Sequence, residues 1–218
     1  MARPRSDIQP RIVEAARVRF LAEGVDGASL REIARDAGTN IGMIVYYFPT
    51  KDDLFLAVIE GVYGGVVSDM KKILAPEGPA RERLRGAFVR LGSASDLEID
   101  VIQLMAREAL SSSTRLRRIV TRLMRGHVPL VIATISDGIR NGEFDPTIPA
   151  PIILLATLGI GAMPQIARRA SRSWPLFSAL PAAPRLADIS IGILFRAVGA
   201  VQAPARPKST SRPRARRS

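Results

Sequence analysis

The chain has 218 residues, room for one large domain or a small domain joined to a larger one. At 47% hydrophobic and 24% charged its composition is that of a globular protein, which excludes collagen-like and wholly disordered chains, and the lack of cysteine excludes disulfide frameworks, thiol nucleophiles and cysteine zinc sites. Lysine and arginine number 32 against 20 acids, a formal charge of +12. Six of the bases stand in residues 202 to 218 without an acid, while residues 1 to 55 carry eight bases and eight acids, so net charge alone does not establish contact with nucleic acid.

Ser6 or Asp7 can cap a first helix running to about Glu23, with Ile8, Ile12, Ala15, Ala16 and Phe20 on one face and Gly24 ending it in the left-handed region beside Val25. Ser29-Leu30-Arg31-Glu32 has the form of a capping box and opens a short second helix to about Ala37. Gly38-Thr39-Asn40 then turns the chain into a third helix, Ile41 to Phe48, stopped by Pro49. Thr50 caps a long fourth helix from Lys51, with Asp52 and Asp53 in its positive first turn.

Pro76, Gly78 and Pro79 separate this from a fifth helix at 80–91, followed by a sixth at 97–110 and a seventh at 114–141, kinked at Pro129 and closed by Gly142. An eighth spans about 151–170 with a kink at Pro164, and a ninth about 185–201 follows a loop containing Trp174, Pro175, Pro181 and Pro184. Alternating strand patterns are missing, so the fold class is all-α with about nine helices. Residues 1–50 form a three-helix helix-turn-helix module, 51–201 a helical bundle, and 202–218 a disordered basic tail. The tail is either a solvated solubility segment or a sequence-independent phosphate contact.

Two short helices joined by a glycine turn suit insertion of the second into a major groove. Ile12, Ala15, Ala16, Phe20, Gly24, Ser29, Ile33, Ala34, Ala37, Gly38, Gly42, Tyr47, Phe48, Lys51 and Leu54 stand at the spacings of the TetR-type regulators, which the chain resembles over residues 8 to 55. The resemblance implies a homodimeric transcriptional regulator, usually a repressor, released from its operator by a small molecule. Positions matching the family's base contacts are Arg31, Ile41, Gly42 and Met43, and those matching its phosphate contacts are Ser29, Tyr46, Tyr47 and Lys51. The family commonly has an aromatic residue where this chain has Val45, and neighbouring Tyr46 is placed to substitute for it.

Read from the residues themselves, Ile12, Ala16, Phe20, Ile33, Ala34, Ile44 and Phe48 make the small core that holds three helices rigid. Residues 39 to 50 contain no charged side chain, so base readout is largely uncharged. Thr39 and Asn40 offer hydrogen bonds, Gly42 permits close backbone approach, and Ile41 or Met43 can press on thymine methyls. Tyr46 and Tyr47 either reach phosphates or pack against the fourth helix, and Arg3 and Arg5 are either a minor-groove arm or a solvated terminus.

In the bundle, Phe88, Leu91, Ile99, Ile102, Leu104, Met105, Ile119, Leu123 and Met124 are apolar faces that serve as core or, in part, line a cavity for a mostly apolar effector. Phe88, Ile102, Met105, Met124 and His127 are the candidate effector contacts, with Glu98, Asp100, Gln103 and Glu108 as further polar candidates. The uncharged run Pro146 to Ala167 contains four prolines and fits a buried or interface helix better than a membrane span. Together with a stripe of Leu186, Ile189, Ile193, Leu194 and Val198 on the last helix it is expected to form a four-helix dimer interface.

One histidine, no metal-ligand cluster and no glycine-rich phosphate loop argue against an enzyme, a metal or a cofactor. With no secretory signal at the start, the expected compartment is the cytoplasm. The partners expected are double-stranded DNA, a small-molecule effector and a second copy of the chain. The rival reading is a ligand-independent architectural or adaptor protein of the same fold.

Overall fold

A computed structural model describes residues 7–75, 77–170 and 179–199, all helical apart from turns and one isolated antiparallel bridge between Phe144 and Gly199. The expectations for Arg3, Arg5, Ser6, Trp174, Pro175 and the basic tail lie outside the described residues. Among the described residues there are ten helices: α1 Ile8–Gly27, α2 Leu30–Asp36, α3 Ile41–Tyr47, α4 Lys51–Leu74, α5 Ala80–Gly92, α6 Asp96–Ser111, α7 Ser113–Met124, α8 Val128–Arg140, α9 Ala150–Ala170 and α10 Ala183–Val198.

The tenth helix arises because the expected single helix at 114–141 is two. Pro129 lacks an N–H and its ring collides with a helical carbonyl four residues back, so a helix cannot run through it undisturbed. The chain instead turns at Arg125 to His127, and Pro129 falls in the first turn of α8, where its missing N–H costs nothing. Gly126 permits this: a β-carbon there would lie 2.6 Å from the Tyr63 hydroxyl. The last helix starts two residues earlier than expected and ends at Val198, where the Phe144 to Gly199 bridge takes over the backbone.

The seven residues expected to form the core of the first module are all buried, and Val25, Leu54, Phe55, Val58 and Ile59 extend that core into the first half of α4. Val101, Leu104 and Met105 of α6 and Ile119 of α7 join the same cluster, so the module packs continuously onto the bundle. A second core gathers Met70, Leu74, Leu84, Phe88, Val131, Ile135, Phe144, Ile153, Ile191 and Leu194 from the end of α4 and from α5, α8, α9 and α10.

Helix ends are satisfied locally in some places and from a distance in others. Thr50 and Asp53 form a full capping box at α4, and Ser95 and Glu98 form another at α6. The box expected at Ser29 and Glu32 is absent, because the Glu32 carboxylate turns to the Arg19 guanidinium at 3.0 Å instead. At α5, whose N-cap Pro79 has no capping group, Glu143 accepts hydrogen bonds from the backbone N–H of Ala80 (2.8 Å) and Arg81 (3.0 Å). A carboxylate at this positive helix end is favoured by the macrodipole.

Candidate nucleic-acid interface

The turn between α2 and α3 is braced from α1. Gly38 adopts φ +62°, open to glycine at little cost, and Arg11 donates from Nε to the Ala37 carbonyl (2.9 Å) and from Nη2 to the Gly38 carbonyl (2.9 Å). Arg19 binds Glu23, Glu32 and Asp36 together, fixing α2 to α1. Within the module Arg11 donates to carbonyls, and Arg19 pairs with acids. Apart from Glu23, four residues beyond Arg19, their partners lie 13 to 27 residues away and leave no short-range pattern in the sequence.

Against this frame α3 buries Ile44 and turns Ile41, Gly42, Val45 and Tyr46 outward, with Met43 and Tyr47 half-buried. Tyr46 is 77% exposed and meets Tyr47 edge-on, with ring centroids 5.2 Å apart. The outward face is uncharged, as the composition of residues 39 to 50 requires. Asn40 caps α3, its side-chain oxygen accepting the Met43 N–H at 3.0 Å, so that oxygen is already engaged; Arg31 is exposed, and Ser29 and Thr39 are half-buried. Lys51 donates from Nζ to the carbonyls of Asp26 (3.0 Å) and Ala28 (2.9 Å), tying the start of α4 to the corner from which α2 begins. An ammonium has three donors, so one remains for a phosphate.

The five candidate effector contacts are dispersed. Phe88 belongs to the second core and Met105 to the first, Ile102 is half-buried, and Met124 is 47% exposed at the end of α7, about 140° around the helix from buried Ile119. His127 is bonded through Nδ1 to the Tyr63 hydroxyl at 2.8 Å. Burial, and then the charge of Arg122, hold its imidazole below the usual histidine range, while burial pushes the Tyr63 phenol up to about 12. Of the polar candidates, Glu98 is paired with Arg90 and Glu108 with Arg115. A shallow cleft of about 430 Å³ lies elsewhere, on the outer side of α10 between Arg185, Asp188, Ile189, Gly192 and Arg196.

The stripe on α10 divides. Leu186, Leu194 and Val198 are buried within the protomer, while Ile189 and Ile193 remain open. On α9 the open apolar side chains are Ile152, Leu155 and Met163. The segment Ala150–Arg168 is long and apolar enough by composition to cross a membrane, and most of it is not buried within the protomer, leaving an uncovered apolar face.

Residues 12–58 match the family model described as bacterial regulatory proteins, tetR family. The chain is 28% identical over 137 residues to the fatty acid metabolism regulator protein of Bacillus subtilis, covering 61% of this chain and 68% of that one. It is 27% identical over 177 residues to the HTH-type transcriptional repressor SCO4008 of Streptomyces coelicolor, covering 77% and 85%. Among solved structures, FadR from Bacillus subtilis in complex with stearoyl-CoA superposes with a TM-score of 0.65 at 19% identity, covering 85% of this chain and 97% of that one. A tetR-family regulatory protein from Rhodococcus RHA1 superposes with a TM-score of 0.69 at 21% identity, covering 89% and 98%.

Proposed function

We propose that the chain, whose residues 12–58 match the tetR family model, is a DNA-binding transcriptional regulator of that family rather than an enzyme: a homodimeric cytoplasmic repressor released from a palindromic operator by a small, mostly apolar ligand. The observation that carries this reading is the rigid presentation of an uncharged α3 face, with Tyr46 standing clear of the surface. Residues 1–50 are the DNA-reading part, and the bundle at 51–201 serves effector binding and dimerisation.

On the DNA, Ile41, Gly42 and Met43 approach base edges with Arg31 and Thr39 at their flank, while Ser29, Tyr46, Tyr47 and the third donor of Lys51 hold phosphates. Asn40 acts through its cap on α3. A second copy covers the open faces of α9 and α10, through Ile152, Leu155, Met163, Ile189 and Ile193, in preference to a membrane. Two recognition helices then fall about 34–36 Å apart, one turn of duplex. An acyl-chain effector is favoured by likeness to a fatty acid metabolism regulator and to a regulator crystallised with stearoyl-CoA.

Footprinting on the DNA flanking the protein's own coding sequence tests the reading, and a protected palindrome is expected. Titration with a panel of fatty acyl thioesters is expected to release it. A chain that protects no duplex refutes DNA binding, and protection insensitive to the whole panel, with no thermal shift, favours the ligand-independent adaptor.

A further inference from the structure

α1 is broken at Gly24, with φ +80° and ψ 165°, and the break is capped from outside the module by two consecutive residues of α6. Arg107 donates to the carbonyls of Leu21 (3.1 Å) and Phe20 on the preceding side, and Glu108 accepts the Val25 N–H (3.2 Å) on the following side. Each charge therefore complements the backbone groups it meets at the break: a cation at carbonyls, an anion at an N–H.

Glu108 is only 3% exposed, and its second oxygen receives Nη1 of Arg115 of α7 at 2.7 Å; Arg115 is itself 6% exposed. The rest of that guanidinium reaches Asp26 through Nη1 (3.1 Å) and Nη2, and Asp52 through Nε (3.1 Å). Two nearly buried opposite charges thus join α6 and α7 to the corner before α2 and to the first turn of α4. The Asp26 carbonyl in turn receives Lys51. Desolvating an ion pair costs about as much as the pair returns, so such a pair is poorly explained by stability alone. What it does is select one arrangement of the four segments it touches.

Building on the DNA-binding reading, we propose that Glu108 and Arg115 are positioning residues for DNA binding: they hold the corner carrying Ser29 and Lys51, and with it α3, in the pose that fits the groove. Neither contacts DNA. A shift of α6 against α7 withdraws the cap at Val25 and the fork on Asp26 and Asp52 together, which makes this cluster the connection from bundle to recognition helix.

The test uses the full chain and a duplex selected by the wild-type protein from a random pool. Glu108→Gln keeps an acceptor for Val25 but removes the charge, Arg115→Met removes the fork, and Arg115→Lys keeps charge without the fork. Each is expected to weaken DNA binding by roughly 3- to 30-fold, the double variant by less than the product of the single losses. The slope of log affinity against log salt is expected to stay unchanged, because no phosphate contact is lost. Folded variants that bind with wild-type affinity overturn the proposal, as does a slope reduced by about one, which makes Arg115 a direct phosphate contact. Should Arg115→Met fail to fold, Arg115→Lys and Glu108→Gln decide by the same criteria. A wild-type chain that selects no duplex overturns the DNA-binding reading itself and the proposal with it.

Discussion

Replacing Lys51 with methionine separates two roles that one ammonium combines. The thioether keeps most of the apolar stem and loses the donors. Two charge-assisted hydrogen bonds, to the carbonyls of Asp26 and Ala28, disappear. Such bonds contribute about 1.5–3 kcal/mol each when buried, but this site is partly open to water and salt, so about 1 kcal/mol each is the appropriate scale. The total of about 2 kcal/mol corresponds to a fall in Tm of about 4–8 °C for a chain of this size. If the third donor grips a phosphate, the salt slope of DNA binding drops by about 0.9 as well. Thermal melts by circular dichroism and fluorescence anisotropy at several salt concentrations read the two effects independently. An unchanged Tm refutes the tie to the α2 corner, and an unchanged slope refutes the phosphate contact.

Tyr46→Phe, at a side chain 77% exposed, is expected to leave Tm within about 1 °C while weakening DNA binding by roughly tenfold through loss of one hydroxyl contact; equal affinity removes Tyr46 from the interface. Gly38→Ala forces an L side chain to φ +62° with its β-carbon 2.9 Å from Arg11 Nη2, and is expected to cost about 1–2 kcal/mol by urea denaturation, with a larger loss in DNA binding because the turn sets α3. His127 is held neutral by burial, so its folded-state pKa lies below the unfolded value. Its stabilisation is present above about pH 6.5 and declines as pH falls from there toward the folded value, and His127→Phe is expected to abolish that part of the stability–pH curve. Leu155→Arg places a charge on the open face of α9 and is expected to shift the protein from dimer to monomer in analytical ultracentrifugation without lowering helicity; a persistent dimer moves the interface elsewhere.

The parts of the fold governed by neighbours in sequence were legible. Ile12, Ala16 and Phe20 recur at helical spacing, Gly38 and Pro49 punctuate, and Thr50 lies three residues before Asp53, so the three-helix module and the start of α4 follow from periodicity and capping chemistry. The outward aspect of Ile41, Gly42, Val45 and Tyr46 follows equally from the burial of Ile44 on a two-turn helix. The split at Pro129 was half legible: proline declared a disturbance, but whether it kinks or terminates depends on Tyr63, 66 residues away, packing against Gly126. The candidate effector contacts were least legible. Met105, Phe88 and Ile102 look alike as apolar helix positions, and only tertiary packing assigns them to separate cores or to a partly open surface.

The caps supplied from a distance share one physical logic. Glu143 at the start of α5, and Arg107 with Glu108 at the break in α1, each bond to backbone groups at a helix end or break from a distant part of the chain. A local cap stabilises its helix regardless of what surrounds it, whereas a distant cap does so only while two segments stay in register. The capping boxes at α4 and α6 are local, so those helices persist through a rearrangement. The α1 break is capped only from α6 among the described side-chain bonds, so the geometry of the DNA-reading module depends on the position of the bundle. On the function proposed above, a ligand needs no contact with the module to alter its pose. It needs only to bind more tightly to the arrangement in which α6 has moved, and DNA affinity falls by that difference and no more.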